Sequence, residues 1–253
     1  MQAEAQTGKT FSDAELAEAS RTLSRVPAHE VLAWADARFG HQAAIASSFG
    51  VEDIVLIDLA ARHAPRLRVL TLDTGRLPAE TYEVMEEVRR KYRIAIETWV
   101  PAGAAVERLV GEKGFFSFRQ GIDERKECCG IRKLEPLARA LAGRSAWLTG
   151  LRREQSVTRA GVEVVELDRA HGGILKLNPL ASWTEAQVWH YAREHRVPLN
   201  GLHARGYPSI GCAPCTRAVL PGEDVRAGRW WWESPEHKEC GLHLHPQHAE
   251  APR

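Results

Sequence analysis

Short apolar runs that alternate with stretches of helical period constrain this chain more than any other feature. Residues 43–46, 68–72, 94–100, 145–149 and 174–177 read as buried strands, with a further short one at 162–167. Between them, apolar residues recur every three or four positions over 12–25, with Ser12 or Asp13 as a cap, and over 27–40, with Pro27 suited to a first turn and Gly40 to an end. The same period runs through Ile54, Ile57, Ala60 and Ala61, then over 79–92 and 102–110. Residues 128–141 keep it through Ile131, Leu134, Leu137 and Leu141, although Pro136 obstructs the middle. Ser182-Trp183-Thr184-Glu185 has the form of a capping box that opens a helix to about His195. Residues 111–125 and the Gly/Pro-rich stretch beyond Val197 read as irregular. Strands alternating with helices imply an α/β fold: a doubly wound, mostly parallel sheet with helices on both faces, followed by an irregular C-terminal tail. Such sheets bind ligands at the carboxyl ends of their strands. Three polar turns therefore matter most, at 47–53, 73–76 and 150–159.

Charge narrows the partners. Among 253 residues, 34 basic and 33 acidic side chains leave a formal net charge of +1. Gripping nucleic acid relies on a basic surplus, so a general polyanion binder is not expected. No apolar run approaches the ~20 residues of a membrane span. The stretch from Met1 to Thr10 carries Glu4 and no apolar core, unlike a secretory signal, so the cytoplasm is the expected compartment. Locally the balance differs. Residues 125–159 hold nine basic and three acidic side chains, and Arg152, Arg153 and Arg159 follow a strand on the expected ligand edge. Guanidinium forks suit phosphate and sulfate oxygens, which points to a small anionic substrate.

Two turns could hold such an anion. Ser47-Ser48-Phe49-Gly50 lies between a strand and a helix, where small residues let backbone N–H groups approach. Asp73-Thr74-Gly75-Arg76 is similar, although Asp and Gly favour turns in any case. The five cysteines are Cys128, Cys129, Cys212, Cys215 and Cys240. An odd count argues for metal or catalytic use over a disulfide framework. The two pairs could hold zinc or an iron–sulfur cluster, or Cys212 and Cys215 could form a redox dithiol. Adjacent cysteines suit a single tetrahedral zinc poorly, and the residues before Cys212 do not read as a strand entering a helix. Cys240, beside Gly241 and downstream of Arg226 and Arg229, reads as a mobile thiol that cations would activate.

Taken together, seven segments resemble the assimilatory adenylylsulfate (APS) reductases of the APS/PAPS reductase family. They are Ser-Ser-Phe-Gly-Val-Glu-Asp from Ser47, Leu-Asp-Thr-Gly-Arg from Leu72, Lys-Glu-Cys-Cys from Lys126 and Gly-Leu-Arg-Arg-Glu-Gln-Ser from Gly150. Gly-Cys-Ala-Pro-Cys-Thr-Arg from Gly211, Gly-Arg-Trp-Trp-Trp-Glu from Gly228 and Glu-Cys-Gly-Leu-His from Glu239 complete the set. The resemblance implies an adenine-nucleotide α-hydrolase-like sheet. It implies that Cys240 attacks the sulfate sulfur of adenosine 5'-phosphosulfate, that AMP leaves, and that a thioredoxin thiol releases sulfite from the S-sulfocysteine. It makes Cys128, Cys129, Cys212 and Cys215 ligands of one [4Fe-4S] cluster. Lys133, Arg159, Arg226, Arg229 and His243 would hold the phosphosulfate, with Arg152 in the same basic loop. The turns with Ser47, Ser48 and Gly50 and with Asp73, Thr74 and Gly75 would hold the nucleotide.

Relatives that act on the 3'-phosphorylated substrate typically lack both cysteine pairs, which favours APS over PAPS. Phe49 and Val51 depart from the Ser-Gly-Gly-x-Asp-Ser pattern of ATP pyrophosphatases, which speaks against ATP cleavage. The expected organisation is N-terminal helices over 1–40, a nucleotide- and cluster-binding domain over 41–229, and a mobile tail over 230–253 that delivers Cys240. The rival readings are a PAPS reductase and a non-catalytic, cluster-stabilised nucleotide-binding protein. The sequence leaves the oligomeric state open, a homo-oligomer included.

Overall fold

The computed structural model describes residues 11–234 and 241–242. Six strands form one sheet: β1 (Ala43–Ala46), β2 (Arg68–Leu72), β3 (Ile96–Trp99), β4 (Ala146–Leu148), β5 (Val165–Asp168) and β6 (Ile174–Leu177). Their spatial order is β3-β2-β1-β4-β6-β5. All neighbours run parallel except β5, which pairs antiparallel with β6 at the edge. Side chains alternate between two cores. Ala43, Ile45, Val69, Ala146 and Leu148 face the larger one, while Ala44, Leu70 and Trp147 face a smaller one with Leu137, Ala140 and Leu141. Burial on both faces explains why the strands read as continuous apolar runs without polar alternation.

The helices are α1 (Asp13–Leu23), α2 (Ala28–Phe39), α3 (Val51–His63), α4 (Ala79–Tyr92), α5 (Gly103–Lys113), α6 (Ile122–Cys129), α7 (Glu135–Leu141) and α8 (Glu185–Glu194). Ser12 and Glu15 form a reciprocal capping box on α1. The box on α8 lies two residues later than the sequence suggests. Thr184 accepts from the Gln187 N–H at 3.1 Å, because Leu180–Trp183 is already closed as a turn by a 2.9 Å bond. No helix among the described residues is long and apolar enough to cross a membrane.

The greatest departure from expectation lies between residues 111 and 135. The stretch read as irregular contains the last turn of α5 and the start of α6, whose first turn carries Asp123 and Glu124 at its positive end. Cys128 and Cys129 therefore close a helix and do not open one. The chain then widens into a π turn over Gly130–Leu134 before α7. Pro136 has no N–H to give an α-helical bond, and the wide turn lets it enter α7 in a first-turn position. Lys133 thus follows Cys129 through a π turn, not through the regular α turn that the spacing predicts.

The winding of the sheet reverses between β1 and β4. β1 leads outward through β2 to β3, and β4 leads the other way to β6. The loops that leave β1 and β4 must diverge there and open a crevice at the carboxyl edge.

Candidate active-site cleft

A cavity of about 220 Å³ occupies that crevice. Ser47, Ser48, Gly50 and Thr74 line it, as do Lys133, Arg152, Arg159, Arg226 and Arg229. Three turns and two loops far apart in sequence therefore meet at one edge. Asp73 and Gly75 stand behind the lining. The Asp73 carboxylate accepts from Tyr82 Oη and from the Gly75 N–H, both at 2.8 Å, so it holds the shape of its turn.

The Ser47 loop is built around a buried carboxylate. Asp53, in the first turn of α3, accepts from the Ser48 N–H at 2.6 Å and from Ser48 Oγ at 2.8 Å. Burial raises its pKa to about 6, against the pull of the Ser48 and Gly150 hydrogen bonds. Phe49 takes a positive φ of 59° and its ring is fully buried, which turns the chain sharply into the helix. Gly150, at the end of β4, packs directly on this carboxylate. A Cβ there would stand 2.5 Å from Asp53 Oδ1 and 3.1 Å from the Asp53 nitrogen.

The basic residues differ in what they touch. Arg152 donates to Glu52 Oε1 through Nε at 3.1 Å and Nη2 at 2.9 Å, forming an ion pair buried on the arginine side and partly buried on the glutamate side. Arg159 donates through Nη1 to Gln155 Oε1 at 2.6 Å. Arg229 reaches the Ile210 carbonyl at 3.2 Å and lies 4.7 Å from the Trp230 ring centroid. Gly211 has no Cβ to strike that guanidinium.

Behind the cleft is a second, smaller cavity of about 20 Å³, lined by all four of Cys128, Cys129, Cys212 and Cys215. The sulfurs are buried in an apolar cluster with Leu109, Phe118 and Trp230. Arg76, Arg125, Arg132, Lys133 and Arg229 also border it. Burial pushes Cys215 up to about 12 and raises Cys128, while Lys133 and Arg229 oppose the first shift and Arg76 and Arg132 the second. Thr74 Oγ1 lies 3.2 Å from Cys212 Sγ, and Arg132 Nη1 donates to the Thr74 carbonyl at 2.7 Å. The turn expected at the nucleotide is therefore tied to the cysteines by its middle residue.

The donor set suits a multinuclear thiolate-bound group. Four soft donors line one small buried cavity, and the cations that border it would balance the charge of thiolate ligands. Arg132 Nε and Arg229 Nε are buried there and find no acceptor among the described residues. Among the described residues, no three His, Cys, Asp or Glu side chains are arranged as a ready-made metal site. The Cys212–Cys215 segment is a 3₁₀ turn, not the start of a longer helix, unlike the setting expected of a redox dithiol.

The expected tail begins with packed structure. Trp230 is 1% exposed, and its ring centroid lies 4.8 Å from the Arg125 guanidinium and 4.7 Å from that of Arg229. Glu233 accepts from Arg125 Nε at 2.7 Å in an ion pair buried on both sides. Trp230 is thus part of the cysteine-cavity wall, and Trp232 packs against the same cluster. Cys240 and His243 lie outside the described residues. The two described residues between them are informative: Leu242 lines the cleft, and the Cβ position of Gly241 lies 3.5 Å from Leu134.

The sequence pointed to the cysteines and the three turns. It did not single out Glu52, Asp53 and Gln155 as a linked group, or Arg76, Arg125 and Arg132 as neighbours of sulfur. Arg125 and Arg132 were visible only as part of a basic run. Nothing local distinguishes a cation that faces a cleft from one that faces a thiol.

A sheet that reverses its winding above a serine–glycine loop is the arrangement of the adenine-nucleotide α-hydrolase-like class, and the fold places this chain there. Within that class the chain belongs to the phosphoadenosine phosphosulfate reductase domain family, whose model matches residues 42–218. It is 57% identical to an adenosine 5'-phosphosulfate reductase of Allochromatium vinosum, over 78% of this chain and 77% of that protein. It is 54% identical to a protein of the same name from Burkholderia cepacia, over 81% and 84% of the two chains. A phosphoadenylyl-sulfate reductase structure from Candida auris superposes with a TM-score of 0.72 at 28% identity, covering 84% of this chain and all of that one. An FMN adenylyltransferase from Candida glabrata shares the fold, at a TM-score of 0.54 and 14% identity over 96% of this chain and 81% of that one.

Proposed function

We propose that this protein reduces adenosine 5'-phosphosulfate to sulfite and AMP in assimilatory sulfate reduction, feeding cysteine biosynthesis, with Cys240 as nucleophile and thioredoxin as reductant. One observation carries the reading furthest: Lys133, Arg229 and Cys212 line both the cleft and the four-cysteine cavity. A single wall thus joins an anion site to a sulfur site. Attack of a thiolate on an anionic phosphosulfate is repelled unless cations neutralise both partners. Lys133, Arg159, Arg226 and Arg229 line the cleft and would do so, and the Ser47 loop would hold the nucleotide at the start of α3.

In the first step the Cys240 thiolate forms a bond to the sulfate sulfur. The bond from sulfur to the bridging oxygen breaks, and AMP leaves with the electron pair. In the second step a thioredoxin thiolate attacks Cys240 Sγ and sulfite leaves with the S–S electron pair. The second thioredoxin thiol then resolves the mixed disulfide, so that thioredoxin is oxidised by two electrons and Cys240 is restored. A reduced dithiol pool of this kind is cytoplasmic. Cys128, Cys129, Cys212 and Cys215 would hold a [4Fe-4S] cluster. When bound, it would add its charge to the wall that Lys133 and Arg229 share.

Mass spectrometry after mixing the protein with APS and no reductant tests the reading. An adduct of one SO3 on the Cys240 peptide is the expected result, and an unmodified Cys240 with the iron content intact refutes it. Sulfite release from APS and not from PAPS is expected in parallel. Nucleotide binding with neither adduct nor sulfite would make the protein a nucleotide binder without turnover.

A further inference from the structure

Glu52 and Arg159 have opposite charges and lie on opposite sides of the switch point, one in α3 and the other after β4. Glu52 is paired with Arg152, and Gln155 stands between it and Arg159. Gln155 Nε2 donates to Glu52 Oε1 at 2.9 Å and to the Gly150 carbonyl at 3.3 Å. Its Oε1 accepts from Arg159 Nη1 at 2.6 Å and from the Arg152 N–H at 3.1 Å. Both donors and both lone pairs of the amide are engaged.

This arrangement also fixes which way the amide points. Turned over, its NH2 would face a guanidinium and a backbone N–H, and its oxygen would face a carboxylate and a carbonyl. No other uncharged side chain of this length presents a donor pair to an anion at one edge and an acceptor to a cation at the other.

We propose that Gln155 is a positioning residue for substrate binding: its amide anchors Arg159 in the lining of the cleft, with Glu52 on the other side of the amide, so that the guanidinium is held where the phosphosulfate would bind. The inference rests on the reductase reading for the identity of the anion. Gln155→Leu removes the anchor at constant bulk. Gln155→Glu places a carboxylate beside Arg159, where it competes with the sulfate, and sets it against Glu52.

The test is a double-mutant cycle over Gln155→Leu and Arg159→Ala, read as KM and kcat for sulfite release from APS and as the Kd for APS in a calorimetric titration. Gln155→Leu is expected to raise KM and Kd ~10–100-fold, the range for losing a hydrogen bond to a charged group, with kcat changed less than about threefold. In the Arg159→Ala background the same substitution is expected to add less than about twofold. A purely structural role for Gln155 predicts effects that multiply, and that result overturns the proposal. So does a KM within about threefold of wild type in the single variant. If Gln155→Leu does not fold, Gln155→Glu is read in the same cycle against the same limits. A wild-type protein that binds APS and releases no sulfite refutes the reductase reading alone, because the Kd cycle still reports the coupling of residues 155 and 159.

Discussion

Gly150→Ala is the most direct probe of how the cleft is built. The added methyl would meet Asp53 Oδ1 at 2.5 Å, Glu52 Cβ at 2.9 Å and the Asp53 nitrogen at 3.1 Å, and the last of these is backbone that cannot rotate aside. Either the end of β4 or the first turn of α3 must move. Overpacking of this kind costs ~1–3 kcal/mol. Displacing the Asp53 carboxylate also weakens its bonds from Ser48, and a hydrogen bond to a charged group is worth ~1.5–3 kcal/mol. A net loss of about 3 kcal/mol lowers Tm by ~6–12 °C in a chain of this size. Because the moved atoms belong to the Ser47 loop, affinity for the nucleotide should fall together with stability. Thermal melts and APS titrations of the variant measure both, with Gly201→Ala as control, since a Cβ there meets only Glu80 Cγ at 4.0 Å. A Tm within about 2 °C of wild type, with unchanged APS affinity, would refute the argument that this contact sets the loop.

Three further outcomes are expected. Asp53, raised by burial from 3.8 to about 6, holds its proton longer in the folded state than in the unfolded one. Its stabilising contribution is therefore full below about pH 3.8 and lost as pH rises to about 6, a change of about 3 kcal/mol. Asp53→Asn should flatten that slope in urea melts across pH 4–7, and an unchanged slope would refute the assignment. Glu233→Ala leaves Arg125 charged and buried, so it should cost ~3–5 kcal/mol and speed hydrogen exchange over residues 230–234. A melting temperature like that of wild type would show that the pair does not hold this segment. Thr74→Val removes the contact to Cys212 and, with the proposed cluster loaded, should weaken retention of iron ~10–100-fold in chelator competition. Equal iron loss in the two proteins would count against a supporting role for Thr74.

Local physics explains which features were legible. The strands at 43–46 and 68–72 have the predicted bounds, because runs buried on both faces carry no competing pattern. Helices α1, α2 and α4 announce themselves by amphipathic period and by recognisable ends at Ser12, Pro27 and Gly40. The π turn at Gly130–Leu134 gave no such signal, since one residue fewer or more per turn hardly alters the spacing of Ile131 and Leu134. The α8 cap was misplaced because Ser182 and Thr184 both fit the capping pattern, and only the turn over Leu180–Trp183 decides between them.

The amino-acid order by itself determined the α/β alternation, the three polar turns that face the ligand edge and the separation of four paired cysteines from Cys240. These depend on periodicity and residue chemistry within a few positions of one another. The tertiary structure alone decided which cation serves which partner. Arg152 meets Glu52 across 100 residues and Thr74 meets Cys212 across 138, distances over which no sequence pattern links one side chain to another. Closing the sheet at its switch point brings those residues together. It leaves Lys133 and Arg229 on the wall between an anion cleft and a cavity of thiols.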